Sequence, residues 1–221
     1  MTVCPRRESG EKVQSSSPVR DPSDREDLDK VERFLRGDLE AFEFLFDKYR
    51  EKVHRIAFRF VRNREDALEV AQDVFLRVHA GIAKFKTDSK FFTWLYRITV
   101  NRAIDFTRSK KKRLAQELHQ PFLEAQEGAL PGRMPEQDPA EAAQEKELRE
   151  RLEEAVRMLS EKHRAVFLLH AMENLSYKEI AEVMECSVGT VMSRLFYARK
   201  KLQELLSKMG LEPPGRLKRN E

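Results

Sequence analysis

The chain has 221 residues, 40% hydrophobic and 36% charged, with a net charge of +4. Globular chains average about 25% charged residues, so much of this one is solvated helix surface or lacks structure, and eight Gly and nine Pro are too few for a turn-dense all-β fold. Cys4 and Cys186 cannot make a disulfide framework or a four-cysteine zinc site. Apolar runs such as Ala165 to Leu169 fall far short of the ~20 residues that span a bilayer. Met1 to Lys12 has no apolar h-region, so no secretory signal, no membrane insertion and a cytoplasmic location are expected.

Residues 1–27 are polar and without apolar periodicity, and they read as a disordered N-terminal extension. From Leu28 the pattern is helical. Leu28, Val31 and Leu35 form a short stripe that stops at Gly37, a C′ residue. Asp38 then caps a long amphipathic helix carrying Phe42, Leu45, Phe46, Tyr49, Val53, Ile56, Ala57 and Phe60 on one face. Asn63, with Asp66 three residues on, opens a third helix whose stripe is Ala67, Val70, Ala71, Val74, Phe75 and Val78. After a polar break from Lys84 to Ser89, Ser89 is expected to cap a fourth helix bearing Phe92, Leu95, Ile98 and Ile104. Residues 28–113 thus form one all-helical domain. Its end is strongly basic: residues 84–113 hold ten basic and two acidic side chains. Such a stripe is either a solvated face or the footprint of a polyanionic partner.

Residues 114–139, rich in Pro and acidic side chains, read as a flexible acidic linker. Helical periodicity returns over 140–209, with a first stripe of Leu148, Leu152, Val156 and Leu159. Ser160 is expected to cap a second helix bearing Val166, Phe167 and Leu169, and Asn174 suits its left-handed C-terminus. Residues 210–221, with two adjacent prolines, form a tail. The fold class is therefore all-α, with two helical domains.

Within the second domain, Ser176 and Glu179 make a capping box for a helix with Ile180, Ala181 and Met184 inside. Glu185, Cys186 and Ser187 form a short turn, and Ser187 caps a helix whose inner face is Val188, Val191, Leu195 and Ala198. Two short helices and a tight turn describe a helix-turn-helix. Its second helix would lie in the major groove and turn Gly189, Thr190, Met192, Ser193, Arg194 and Tyr197 outward, with Arg199, Lys200 and Lys201 on phosphates.

The stretch Leu175 to Leu202, LSYKEIAEVMECSVGTVMSRLFYARKKL, resembles region 4 of bacterial sigma factors of the extracytoplasmic-function group of the sigma-70 family. FFTWLYRITVN, Phe91 to Asn101, resembles regions 2.3 and 2.4, and EDALEVAQDVF, Glu65 to Phe75, resembles region 2.2. The resemblance covers about 28–113 and 142–208, in the family's order and without a region 3 domain. It implies a non-enzymatic factor, without cofactor or metal, that binds core RNA polymerase and promoter DNA, and control by an anti-sigma protein. The polymerase surface it implies is Asp66, Glu69, Gln72, Asp73, Leu76 and Arg77. For the −35 element it implies Tyr177, Lys178, Ser187, Gly189, Thr190, Met192, Ser193, Arg194, Tyr197, Arg199 and Lys200. For the −10 element and melting it implies Phe85, Lys86, Asp88, Ser89, Trp94, Arg97, Asn101 and Arg102, because strand capture needs cations and aromatic faces. Trp94 fits either a wedge or core packing.

The chain departs from the family pattern at Met192 and Tyr197, where basic residues are common, at Leu68, where an acidic one is frequent, and at Glu185, where Gly is common. None of the five histidines has metal-site spacing, and there is no phosphate loop and no G-x-S-x-G. The competing readings are a stand-alone helix-turn-helix regulator and an adaptor of polymerase. The aromatic, basic stretch 91–101 disfavours the first, and the groove-facing Thr190, Ser193 and Arg194 disfavour the second.

Overall fold

The computed structural model describes residues 21–86, 89–117 and 139–211. Those residues form eight α-helices and one 3-10 turn, with no strand among them. The all-α class and the two helical domains expected from the periodicity are both present. Residues 1–20, the centre of the linker and the tail from 212 onward lie outside the described residues.

Helix α1 (Pro22–Leu35) begins earlier than its apolar stripe. Asp21 caps it by accepting from the Ser23 amide, and Pro22 takes the first position, where a missing N–H costs nothing. The expectation of disorder through residue 27 is therefore corrected for residues 22–27. The reason lies in α2 (Leu39–Val61). Asp27 is buried and accepts from the Tyr49 hydroxyl at 2.5 Å and from the Lys48 ammonium at 2.6 Å. Burial, with the Asp27 carboxylate beside it, pushes the Tyr49 hydroxyl well above its ordinary range, so it stays a donor. A helix turn anchored by carboxylates carries no apolar signature.

Gly37, at φ +101, reverses the chain where a side chain would be strained, and Asp38 accepts from the Ala41 amide to start α2. Asn63 does the same for α3 (Arg64–Gly81), accepting from Asp66 at 2.9 Å. A 3-10 turn, Ile82–Lys84, leads toward α4 (Phe91–Glu117). Ser89 does not cap α4: the helix starts two residues later, and the Ser89 hydroxyl donates to the Lys86 carbonyl instead. At its far end α4 continues through the basic cluster to Glu117, so residues 114–117 are helix rather than linker. Leu45, Val53 and Ile56 of α2, Val70, Val74 and Val78 of α3, and Phe91, Leu95 and Val100 of α4 fill the core between these helices. Burying each such side chain is worth ~1.5–3 kcal/mol before entropy is subtracted.

The second domain comprises α5 (Pro139–Arg157), α6 (Glu161–Glu173), α7 (Tyr177–Val183) and α8 (Val188–Lys208). Among the described side chains of α5, those of its last turns meet the core. Ala155, Val156 and Leu159 are buried, whereas Leu148 and Leu152, expected in the same stripe, are exposed. Leu35 of α1 is likewise exposed. Ser160 occupies the N-cap position of α6 without a side-chain cap bond, its hydroxyl meeting His163 Nδ1 instead. Asn174 ends α6 at φ +53, as its tolerance of the left-handed region suggested. The two domains touch through α4 and α7, and their buried apolar residues form one connected cluster. Among the described residues no helix is long and apolar enough to cross a membrane.

Candidate nucleic-acid interface

The helix-turn-helix is built by local hydrogen bonds. The Ser176 hydroxyl accepts from the Glu179 amide, and Glu179 reaches back to the Ser176 amide at 2.9 Å, closing the capping box. Cys186 donates its amide to the Ala181 carbonyl, and Glu185 takes φ +47, the left-handed conformation that the turn demands. Ser187 then accepts from the Thr190 amide at 3.1 Å to start α8. Val191, Leu195, Ala198 and Leu202 bury one face of α8 against α6 and α7. Val188, expected inside, is substantially exposed, because at the helix's first residue nothing lies above it.

The outward face of α8 holds Gly189, Met192, Ser193, Tyr197, Arg199 and Lys200, all exposed, with Thr190 half-buried beside the cap. Lys178 on α7 is exposed, and Tyr177 is half-buried against His170. Arg194 is half-buried and within 3.6 Å of the Cys186 sulfur, which draws it toward the turn. Sequence reasoning passed over Phe196, the most exposed large apolar side chain of α8, whose ring meets Tyr197 edge-on at 5.5 Å. Its spacing of four from Met192 was the available signal. The outward face is therefore apolar and aromatic on its flanks and cationic toward its C-terminal part. It can contact thymine methyls as well as phosphates.

On α4 the expected strand-binding side chains separate into two groups. Lys86, ahead of the helix, and Asn101 are exposed, and Trp94, Arg97 and Arg102 are half-buried, as is Lys90, a further cation just before the helix start. Phe85 is corrected: its ring is buried, packed at 5.8 Å from Phe91 and 5.4 Å from Trp94, and it offers no open face for a base. Tyr96 is also buried. Trp94 lies across Phe85 and Phe91 and keeps part of its surface in solvent. Asp88 lies outside the described residues, and Ser89 is half-buried in the turn before the helix.

The face of α3 divides similarly. Glu69, Gln72, Leu76 and Arg77 are exposed, Leu76 at 70%. Asp66 and Asp73 instead turn toward α4: Asp66 accepts from Lys110 at 2.5 Å, and Asp73 from Arg102 as well as from Arg77 at 3.0 Å. Burial opposes ionisation of Asp73, but Arg102 and Arg77 outweigh it and hold the carboxyl below its ordinary range. Arg102 and Asp73 had been assigned to different surfaces, and the structure joins them in one ion pair.

Among the described residues, five ion pairs link the two domains. Arg55 grips Glu173 with two bonds of 3.2 and 3.0 Å, and Arg62 meets Glu153. Lys90 donates to Glu179 at 3.0 Å, Arg97 to Glu185 at 2.9 Å, and Arg108 to Glu161 at 2.8 Å. Burial works against the Glu179 carboxylate, yet the Ser176 amide and Lys90 outweigh it and keep its pKa below the ordinary range. Partly exposed pairs are worth ~0–1 kcal/mol each, so they add to the buried apolar contact between the domains rather than replace it.

A capped helix with an exposed, partly cationic face behind a tight turn, beside a helix that gathers cations and a half-open Trp, is the arrangement of an all-helical protein of the helix-turn-helix class. Residues 149–202 match the family model of sigma-70 region 4, and residues 45–113 that of sigma-70 region 2. The chain is 34% identical to the RNA polymerase sigma-H factor of Pseudomonas aeruginosa, over 82% of this chain and 94% of that one. It is 35% identical to the ECF RNA polymerase sigma-E factor of Escherichia coli K12, over 77% and 88%. In fold it is similar to CnrH in complex with the cytosolic domain of CnrY, with a TM-score of 0.59 and 23% identity over 83% of this chain and 98% of that one. It is also similar to the sigma factor RpoE in complex with the anti-sigma factor NepR from Bartonella quintana, with a TM-score of 0.58 and 24% identity over 75% and 96%. The chain belongs to the sigma-70 family, in its extracytoplasmic-function group.

Proposed function

We propose that this protein binds core RNA polymerase and directs it to promoters, with α8 reading the −35 element and α4 holding the opened −10 strand. The observation that carries the reading is the presence, in one chain, of both sigma-70 regions, 45–113 and 149–202, each with outward side chains suited to its task. Residues 28–113 and 140–209 serve as the two working domains, joined by the acidic linker. Gly189, Met192, Ser193, Arg194 and Tyr197 face base edges, while Arg199, Lys200 and Lys178 hold phosphates. The capped start of α8, with Ser187 and Thr190, and Tyr177 at the start of α7 set the helix against the backbone.

Lys86 and Lys90 ahead of α4, with Arg97 and Arg102 on it, follow the phosphates of the separated strand. Trp94 supplies a face and Asn101 an amide for an extruded base, with Asp88 and Ser89 as further contacts to it. Unstacking that base costs a few kcal/mol, which stacking and phosphate contacts offset. Glu69, Gln72, Leu76 and Arg77, with Asp66 and Asp73 at the edge, dock on polymerase. The polymerase performs the chemistry, and this chain acts in the cytoplasm as a specificity factor without its own reaction. An anti-sigma protein that covers the docking surfaces restrains it.

The test is runoff transcription with purified core polymerase on a promoter library. Transcription from promoters sharing two elements about one −35/−10 spacing apart is expected only when this protein is added. Transcripts that do not depend on it, or sequence-specific duplex binding at physiological salt without polymerase, would refute the reading in favour of an independent regulator.

A further inference from the structure

We propose that the acidic face of the second domain is an intramolecular stand-in for DNA, docking on the strand-binding track of α4 and competing with single-stranded DNA for the same cations. The proposal rests on the strand-capture reading of α4 given above. Among the described residues, in each of the five ion pairs that cross between the domains the cation belongs to the first domain and the carboxylate to the second. Two of those cations, Lys90 and Arg97, belong to the strand-binding track; Glu179 engages Lys90, which also meets Asp24 of the first domain at 3.4 Å, and Glu185 engages Arg97. Both carboxylates come from the helix-turn-helix itself. Glu179 closes its capping box, and Glu185 stands in its turn at φ +47, so the motif's own backbone holds them in place. Arg108, at the head of the basic run through Arg113, is engaged in the same way by Glu161.

The cover is one-sided. Met192, Phe196, Tyr197 and Lys200 on α8 remain exposed while α7 lies against α4. The duplex reader is therefore open in the state in which the strand track is covered.

The cover is also releasable. The ion pairs are partly exposed and subject to screening by salt. The region behind them holds guanidinium groups that are only partly satisfied: the Nε atoms of Arg59, Arg62 and Arg164 are buried without a protein partner, although the other two nitrogens of Arg62 meet Glu153. Burial lowers the pKa of Arg59 and of Arg164, the mark of cations held short of their hydration. Arg164 lies over the Phe60 ring at 5.5 Å, which compensates it only in part. Separating the domains returns these groups to water, which offsets part of the cost of parting the apolar contact between α4 and α7.

The experiment uses the full chain with Glu173→Gln, Glu179→Gln and Glu185→Gln combined. Gln at 179 can still close the capping box. A charge-matched control carries Glu147→Gln, Glu150→Gln and Glu204→Gln, whose ion pairs stay within the second domain. Small-angle scattering reads the separation of the domains, and fluorescence anisotropy reads binding of a labelled single-stranded oligonucleotide. The seam variant is expected to be more extended than the wild type at low salt and to bind the strand about tenfold more tightly than the control. Unchanged dimensions would overturn the docking. Extension without tighter strand binding than the control would overturn the competition. In that event, open-complex formation by holoenzyme carrying Lys90→Ala and Arg97→Ala separates the causes. Loss of melting leaves the strand-capture reading standing and refutes only the competition, whereas normal melting refutes strand capture itself. Should the triple variant fail to fold, Glu185→Gln alone, at an exposed turn position, is expected to give a gain of about threefold, and no gain would overturn the proposal.

Discussion

Leu195 offers the sharpest test of how the second domain's core supports promoter reading. Its side chain is 2% exposed, on the buried face of α8 that also holds Val191, Ala198 and Leu202. Leu195→Ala removes three heavy atoms from that core and leaves a cavity, a change that costs ~2–5 kcal/mol depending on how far the surroundings collapse. A helical unit of roughly seventy residues has a net stability of ~3.5–10 kcal/mol. The substitution therefore removes about half of it, and ~3 kcal/mol lowers the folded-to-unfolded ratio by roughly a hundredfold. Leu195→Met keeps the volume and is expected to cost less than ~1.5 kcal/mol. Urea denaturation followed by circular dichroism measures the change, and footprinting of the holoenzyme measures its consequence. Protection over the −35 element should fall with the stability of the domain, first for Ala and much less for Met. Unchanged −35 protection by Leu195→Ala under conditions where its second domain has melted would refute the claim that a folded α8 carries the recognition.

Tyr49→Phe should lower stability by ~1–3 kcal/mol in a thermal melt, because it strips a buried donor from the Asp27 carboxylate while leaving Lys48 in place; an unchanged melt would show that this bond does not anchor α1. Arg194→Ala should cost ~1–3 kcal/mol in holoenzyme binding and relax preference at one −35 position, whereas Arg199→Ala should weaken all sequences evenly and reduce the salt slope. Binding unaffected by both would remove the groove-facing assignment of α8. Glu179 and Asp73 have carboxyl pKa values lowered in the folded protein. Their stabilisation is therefore fully present above the ordinary carboxylate range and is lost only as the pH falls through the lowered folded values. Scattering and circular dichroism should accordingly change little from neutral pH down to about 5, and an opening of the domains centred near neutral pH would contradict these assignments.

Features whose partners lie within one helical turn were readable from the residues alone. Asn63 with Asp66, Ser176 with Glu179, Ser187 with Thr190 and the left-handed Asn174 each rest on a bond spanning a few residues, so their local order suffices to place α3, α7, α8 and the end of α6. The 3.6-residue apolar spacing placed the cores of α2 and α3 for the same reason, since the period follows from helix geometry. Together with the region 2 and region 4 motifs, these features made the all-α, two-domain class and the family legible. The structure alone decided which periodic residues meet a neighbour: Leu148, Leu152 and Val188 satisfy the spacing but reach past the ends of the packed surface. It alone showed that Phe85 serves the core, because burial depends on Phe91 and Trp94 closing over its ring. The early start of α1 was hidden because its anchors are carboxylates, and a polar residue in sequence gives no sign that a Tyr and a Lys from another helix will receive it. Least legible of all were the cross-domain pairs of Lys90 with Glu179 and Arg97 with Glu185, nearly ninety residues apart in the chain. In a chain with so many charges, each side chain has many possible partners by composition, and only the packing of α7 on α4 selects one.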